Sequence, residues 1–600
     1  MKLLLLDRPK DYEIIKGRDI QYFGPWAQPI STPEDLLKPL FEPYPTPESV
    51  YAASLRAINT TLVLLDNLAD ILPGLTGLNK TKRFWRIVYG HHLVSLAGIV
   101  EDIKNRHLSL PQKDYILGMP GNRLLEQRPL YSWKDAANFL YDDSDFRCYA
   151  AAIYLNNYYE KTELIEYEQV IPRIISSKFQ DIHLRLARNS HKRLIKKALS
   201  LIFGSWRFHY RSHCRFDHCF SLIWDDYNLE DFDFKRLQPG VLFDDYSLER
   251  QKVPLLKRDY KKREMLKRYL PSPYGELLSL TIPLVALEGL ADLIALLENK
   301  RYTRELKSIE RVYSNGQAFN DNGLRRTLVA LLAEEGKKII SIQHGGGGTY
   351  FANSGMFTDR IIADEYLSWG KGYLDSHSLP GANNIRSFPS VYLSNLRQKD
   401  GLANKEKKWD ILLVALEESR HVKWLYSPLF PDMAYDYFNR QRLLFDFFSK
   451  NANVAIKLYP ETHGWQQYKW LKSRYPSLKV LIVGKAIDYA RESEITVIDY
   501  NSTAFLEMLA IKRPFLVTWN RRWFRGNELF EKFIDTLIEV GIFYEQPQDL
   551  VYFYNNKLAK TDLDTWWLES NRQAALEEMA SNFSLTSDSI YQLWNLEFEK

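Results

Sequence analysis

Between about residue 305 and residue 519, short apolar runs alternate with amphipathic stretches, and no other feature restricts the fold as strongly. Residues 309–314 read as a strand. Residues 324–336 read as a helix closed by a glycine, and residues 338–343 (KIISIQ) as a buried strand. A polar, charged stretch at 397–408 reads as a linker, after which 410–416 (DILLVAL) opens a second series. That series continues with a helix near 435–450, strand 454–458, a helix near 466–475 and strand 480–483. Strand 495–499, a helix near 504–511 and strand 515–519 follow. Apolar strands that alternate with helices predict parallel sheets with covered faces. Two such series joined by a linker predict an α/β chain with two Rossmann-like lobes facing a cleft.

The first half is less regular. Residues 1–47 hold a short strand (four leucines after Met1-Lys2) and then proline-rich loops. From 48 to about 106 apolar residues recur at helical spacing: Leu62, Leu65, Leu68 and Ile71, then Trp85, Val88, Leu93, Leu96 and Ile99. The expected organisation is an N-terminal lobe at 1–396 with a helical insertion at about 48–300. A C-terminal lobe at 409–545 follows, and a helical tail at 546–600 packs across both.

Charge and cysteine content narrow the function classes. A net charge of +5 over 600 residues gives no whole-chain footprint for nucleic acid. Three cysteines are too few for a disulfide framework, which predicts a reduced, cytoplasmic protein. No run of about 18 uncharged apolar residues predicts a membrane span. One segment departs from the even balance: residues 178–215 carry ten Lys/Arg and the single acid Asp181. A solvated helix face explains that run; the alternative is a contact with an anionic glycan or with anionic lipid at the inner face of the plasma membrane.

Parallel sheets bind ligands beyond the carboxyl ends of their strands, and three such ends stand out. Gln343-His344-Gly345-Gly346 is followed by two more glycines, so the backbone can approach a ligand closely and aim N–H groups at an anion. His344 there can act as an acid, a base or a phosphate donor. Lys457 lies at the end of strand 454–458, and Tyr459 and Glu461 follow it; Lys457 can neutralise a phosphate, and Tyr459 or Trp465 can stack on a ring. Asn501, Ser502 and Thr503 precede a helix, where backbone N–H groups attract phosphate, and Glu507 lies one turn in, suited to ribose hydroxyls. Each has an ordinary alternative: a turn, a strand-to-helix loop, a helix cap.

Other constellations are weaker. His213-Cys214 and His218-Cys219 match no structural zinc spacing, so no metal site is expected. Gly-x-Ser-x-Gly and P-loop motifs are absent. Trp369 reads as a core residue or a cleft wall. Asp217, Asp225, Asp226, Asp364 and Glu365 are carboxylates with only their position to recommend them.

Several pieces together resemble a family of transferases encoded in bacterial surface-polysaccharide and O-antigen clusters. They are Phe23-Gly24-Pro25-Trp26, the FWRIVYG run at 84–90, the LPSPYGE run at 270–276, and Gln343-His344-Gly345-Gly346 with the YLSWG run at 366–370. Leu458-Tyr459-Pro460 and Asn501-Ser502-Thr503 with Glu507 complete the set. The Gln-His-Gly and Ser-Thr pieces are also similar to wider GT-B-like groups, including CDP-glycerol glycerophosphotransferases and sialyl- and Kdo-transferases. The resemblance implies a GT-B-like glycosyltransferase with its donor nucleotide in the C-terminal lobe. Tyr459-Pro460 stands where the sialyl- and Kdo-transferases carry His-Pro, and His91-His92 replaces a Trp-Leu continuation.

The expected reaction is metal-independent transfer of a sugar from a nucleotide-activated donor, a CMP-linked one among the options, to a surface polysaccharide or its lipid-linked precursor. No cofactor beyond the donor substrate is expected. The alternatives are a CDP-polyol phosphotransferase and a non-catalytic glycan-binding protein.

Overall fold

The computed structural model describes residues 2–29, 35–38, 41–111, 114–120, 136, 140, 144–167, 173–174, 216–221, 234–236, 260–287, 289–297, 307–314, 323–346, 359–360, 362–373, 384–400, 406–417, 420–422, 425, 431–451, 453–459, 461–462 and 464–600. The basic stretch 178–215 lies outside the described residues, as do Asp225 and Asp226.

Three parallel sheets form the framework. The first contains β1 (Lys2–Leu5), β2 (Ile20–Tyr22), β3 (Tyr115–Pro120) and β4 (Lys161–Ile165) in the order β2-β1-β3-β4. A two-residue strand, β5 (Arg173–Ile174), follows. The second sheet holds β6 (Phe216–Ser221), β7 (Phe234–Arg236), β8 (Arg311–Ser314), β9 (Lys338–Ile342), β10 (Glu365–Ser368) and β11 (Ile385–Ser387), ordered β11-β10-β9-β8-β6-β7. In the third, β12 (Trp409–Val414) and β13 (Val454–Lys457) are neighbours; β14 (Glu461–Thr462) leaves the sheet to pair antiparallel with β5. β15 (Lys479–Leu481), β16 (Ser493–Ile498) and β17 (Phe515–Val517) complete the order β15-β13-β12-β16-β17. The strand order of this sheet reverses between β12 and β16, where a doubly wound sheet opens a crevice.

The predicted α/β alternation is therefore present, with strand ends shifted by one or two residues. The insertion at 48–300 is not purely helical, because it supplies β3, β4, β6 and β7. The helical spacing read there extends only to about 106. Beyond it, β3 contains Gly118 and Pro120, and β4 leaves Lys161, Thr162 and Glu163 exposed or half-exposed, so neither strand shows a clean period. The supposed linker at 397–408 begins as the last turn of a helix. There Asp400 accepts Arg491 Nε at 3.0 Å and Arg513 Nε at 2.8 Å, so this charged stretch anchors the chain.

Ten helices position the site and its supports. They are α1 (Pro47–Thr76), α2 (Lys82–Ser109), α3 (Val391–Asp400), α4 (Ala434–Asn451) and α5 (Thr503–Ile511), then α6 (Glu528–Glu539), α7 (Pro547–Asn556), α8 (Leu563–Trp567), α9 (Ser570–Phe583) and α10 (Ile590–Glu599). α2 is buried on every face, which an α-helix tolerates only when all sides meet protein. Several of its polar groups are paired inside: His92 meets Thr281 Oγ1 at 3.0 Å, and burial pushes the imidazole down to about 3. Near its end Arg106 binds Asp102 at 3.0 Å and Asp432 at 2.5 Å, joining the N-terminal half to the approach to α4. α10 returns to the second sheet, laying Ile590, Trp594 and Phe598 against Tyr313, Ile340 and Leu367. Among the described residues no helix is long and apolar enough to cross a membrane.

Candidate functional site

α5 begins where β16 ends, at the β12/β16 crevice. Ser502 is its N-cap: the backbone is extended, and Oγ accepts the Ala504 N–H at 3.2 Å. The next turn buries Phe505, Leu506, Met508 and Leu509, which fixes the helix against the sheet. The carboxyl end of β9, from the second sheet, reaches the same point. Gly346 N–H donates to Thr503 Oγ1 at 2.9 Å, across 157 residues of sequence. Gly345 is left-handed (φ 68°), and a β-carbon there would lie 2.6 Å from Thr503 Oγ1. A β-carbon on Gly346 would lie 2.6 Å from the Ser502 carbonyl carbon and 2.8 Å from Thr503 N. The two glycines are thus what lets one sheet's loop rest on the other's helix start. Two of the three predicted strand ends meet, while Gly347, Gly348, Thr349 and Tyr350 lie outside the described residues.

Gln343 and His344 enter differently. Gln343 is fully buried; its amide donates to Gly345 O at 2.9 Å and accepts the Trp369 N–H at 2.7 Å. It braces the ends of β9 and β10 and has no surface to offer a ligand. His344 is half-buried beside it. Trp369 is core.

Lys457 ends β13. It lies level with Val414 of β12, which lies level with Ile498 of β16, so two strand spacings, about 10 Å, separate its backbone from the strand leading to Ser502. Its ammonium is buried and donates to Leu458 O at 2.5 Å and Ile482 O at 2.9 Å, toward the β15 side. Among the described residues no carboxylate lies within salt-bridge reach. Burial pushes the amine down to about 8, which leaves it mainly charged at neutral pH. Two of its three donors are engaged by carbonyls. Tyr459 is exposed. Glu461 belongs to β14, paired with Ile174 of β5, and its side chain lies outside what is described, as do Pro460 and His463.

Glu507 is not open to a ribose. It is buried between α5 and α3, where Tyr392 Oη donates to it at 2.5 Å. Burial raises its carboxyl to about 7, against the lowering effects of Tyr392 and Lys485. Asn501 is buried beneath the loop. Asp364 and Glu365 are structural: Asp364 pairs with Arg83 at 2.7 Å, and Glu365 with Lys338 and Arg386, each at 2.6 Å. Asp217, His218 and Cys219 lie in β6, their side chains outside what is described, and His213 and Cys214 lie outside the described residues.

Two groups of residues went unread in the sequence. Asp499, directly after β16, is half-buried and accepts Tyr437 Oη at 2.9 Å and Gln441 Nε2 at 2.7 Å; desolvation raises its carboxyl to about 7. Tyr437 Oη also accepts the Leu416 N–H at 2.8 Å, tying β16 to the loop after β12. That loop carries His421, whose Nε2 meets Asp7 Oδ2 at 3.0 Å at the carboxyl end of β1. Trp26 packs on the His421 ring at 4.9 Å and donates to Leu6 O at 2.8 Å. The first sheet therefore also meets the third at a strand end. Asp499 follows an apolar strand directly and was legible in principle; Asp7 and His421, 414 residues apart, carry no shared local signal.

The family model described as LIC12162 family transferase matches residues 3–598. No curated protein matches the chain. Among solved structures, the N-terminal domain of Candida albicans trehalose-6-phosphate phosphatase is 11% identical, covering 64% of this chain and 96% of its own, with a TM-score of 0.31. Acinetobacter baumannii MurG is 11% identical over 52% of this chain and 79% of its own, with a TM-score of 0.28. At those scores neither likeness carries an argument.

Proposed function

The chain belongs to the LIC12162 transferase family, and we propose that it transfers a sugar from a nucleotide-activated donor to a surface glycan or its lipid-linked precursor. The observation that carries this reading is the meeting of Gly345 and Gly346 with Ser502 and Thr503 at the start of α5. A helix N-terminus exposes backbone N–H groups, and here a hydroxyl and a close-approaching glycine backbone surround it at a sheet's switch point. That chemistry suits the phosphates of a nucleotide. As the bond to the sugar breaks, negative charge grows on the leaving phosphate, and fixed donors lower the barrier by stabilising it. The Thr503 hydroxyl and the first N–H groups of α5 are those donors. The Lys457 ammonium adds positive charge about two strands away. His344, at the end of β9 in the second sheet, is the group we assign to the acceptor, whose hydroxyl must lose its proton as it attacks.

The test is a thermal-shift screen of CMP-, UDP-, GDP- and CDP-linked donors with the purified chain, repeated for Thr503→Val. Stabilisation by one donor class and its loss in the variant are expected. No stabilisation by any donor, or an unchanged shift in Thr503→Val, refutes the reading. Phosphorus in the reaction product would assign a polyol-phosphate transferase in its place.

A further inference from the structure

A groove of about 820 Å³ is formed by α6, α7, α8 and the start of α9, a volume within the range of small-molecule sites. It does not belong to the reaction cleft. Trp567, next to the lining residue Trp566, donates Nε1–H to Lys512 O, which caps the carboxyl end of α5, whereas Ser502 and Thr503 form the opposite end of that helix. The groove is built from aromatic faces. Tyr544 stacks on Phe553 with ring centres 5.2 Å apart, Phe553 meets Trp566 at 5.8 Å, and Tyr552 stands at the rim, 66% exposed.

The floor is rigid. Arg572 lies over the Trp566 ring at 4.4 Å, donates to Val540 O at 2.9 Å and to Trp566 O, and pairs with Glu569 at 3.0 Å. The segment before α7 is held by the third sheet, since Tyr544 N–H donates to Val517 O at 2.9 Å. Trp566 is 9% exposed, yet its indole N–H has no hydrogen-bond partner among the described residues. A buried donor without an acceptor calls for one from solvent or from a ligand.

The charges around the groove choose the ligand class. Glu539, Asp549 and Glu569 face Lys557, Lys560 and Arg572, three acids against three bases, so the groove has no net charge with which to attract a polyanion. Asn556 and Asn571 add amides that both donate and accept. Flat aromatic faces suit the C–H faces of sugar rings, and amides with an unmet indole N–H suit hydroxyls. We propose that this groove binds a segment of a neutral glycan, at a site separate from the reaction cleft. A polymeric acceptor held there would be tethered to the enzyme during successive encounters with the cleft, which raises its effective concentration. The binding itself does not depend on the proposed reaction.

The experiment is affinity electrophoresis of the full chain in gels containing dextran, mannan or galactan, with dextran sulfate as the polyanionic comparison. Tyr552→Ala removes an exposed ring without disturbing the core, and Trp566→Phe keeps a ring while deleting the N–H. Retardation by at least one neutral polysaccharide is expected, weakened at least fivefold in Tyr552→Ala and measurably in Trp566→Phe, with the unfolding temperature of Tyr552→Ala unchanged. Retardation by dextran sulfate alone, by none of the neutral polymers, or equally in Tyr552→Ala overturns the proposal. The nucleotide thermal shift of Tyr552→Ala stays at the wild-type value, so failure here is distinguishable from failure of the donor site.

Discussion

The closest approach in the cleft gives the sharpest test. Replacing Gly346 by alanine puts a methyl group 2.6 Å from the Ser502 carbonyl carbon, 2.8 Å from Thr503 N and 2.9 Å from Ser502 O. All three are backbone atoms at the first turn of a helix whose other face is buried, so none can swing aside as a side-chain tip would. Either the β9 loop or the start of α5 must move. Overpacking of this kind costs about 1–3 kcal/mol. Displacement also breaks the Gly346 N–H···Thr503 Oγ1 bond, worth about 0.5–1.5 kcal/mol. The total, about 1.5–4.5 kcal/mol, lowers the unfolding temperature of a 600-residue chain by roughly 1–4 °C. The donor-induced thermal shift should disappear as well, since the loop no longer rests on the helix start. Gly74→Ala is the control: it lies in α1 with no atom within 4 Å of its added carbon, and alanine in a helix stabilises by about 0.5–1 kcal/mol. Differential scanning fluorimetry reads both. If Gly346→Ala melts with the wild type and keeps the donor shift, the two loops do not share a site and the reasoning fails.

Three further outcomes follow from buried charge. Glu507 has a folded-state pKa raised from 4.5 to about 7, so its contribution to stability is present at low pH and is lost as pH rises from about 4.5 to 7, by on the order of 3 kcal/mol. Glu507→Gln should remove that slope in denaturation profiles between pH 4.5 and 8; a profile identical to wild type contradicts it. Lys457 is held down to about 8, so the donor-induced thermal shift should decline as pH rises through 8, and Lys457→Met should show a weaker shift without that decline. A shift that stays level to pH 9.5 in the wild type removes Lys457 from the phosphate site. Arg106→Ala leaves Asp102 and Asp432 buried without their cation and should cost about 3–5 kcal/mol in urea unfolding; a loss below 1 kcal/mol would mean that water enters and hydrates both.

Much of the C-terminal part was readable because its signals are local. Buried strands such as β9 (KIISI) and β12 (WDILLV) are short, mostly apolar runs flanked by polar residues. The loops at Gly345 and Ser502 were legible for the same reason. Their roles were less so. Gln343 looks like a ligand contact by position, but its amide is consumed by Gly345 and Trp369. Glu507 has the right helical offset from Thr503, yet that face of α5 is covered by Tyr392. An offset along a helix says which residues share a face and nothing about what the face meets. Phe84, Trp85 and Trp26, which carry part of the family resemblance, are joints of the core: the first two lie on the buried helix α2, and Trp26 is wedged between Arg106 and His421.

The sequence by itself determined the parallel α/β character, most strand and helix positions after residue 305, and the strand ends worth inspecting. Periodicity and capping act within a few residues and survive without tertiary context. Tertiary structure alone decided that the parallel strands among the described residues divide into three sheets, that Gly346 reaches Thr503 across 157 residues, and that Asp7 reaches His421 across 414. It also decided which polar side chains the packing consumes and which remain for a ligand. Those outcomes depend on burial and on contacts between distant segments, and a side chain's neighbours there are set by the packing of whole sheets, which no local pattern encodes.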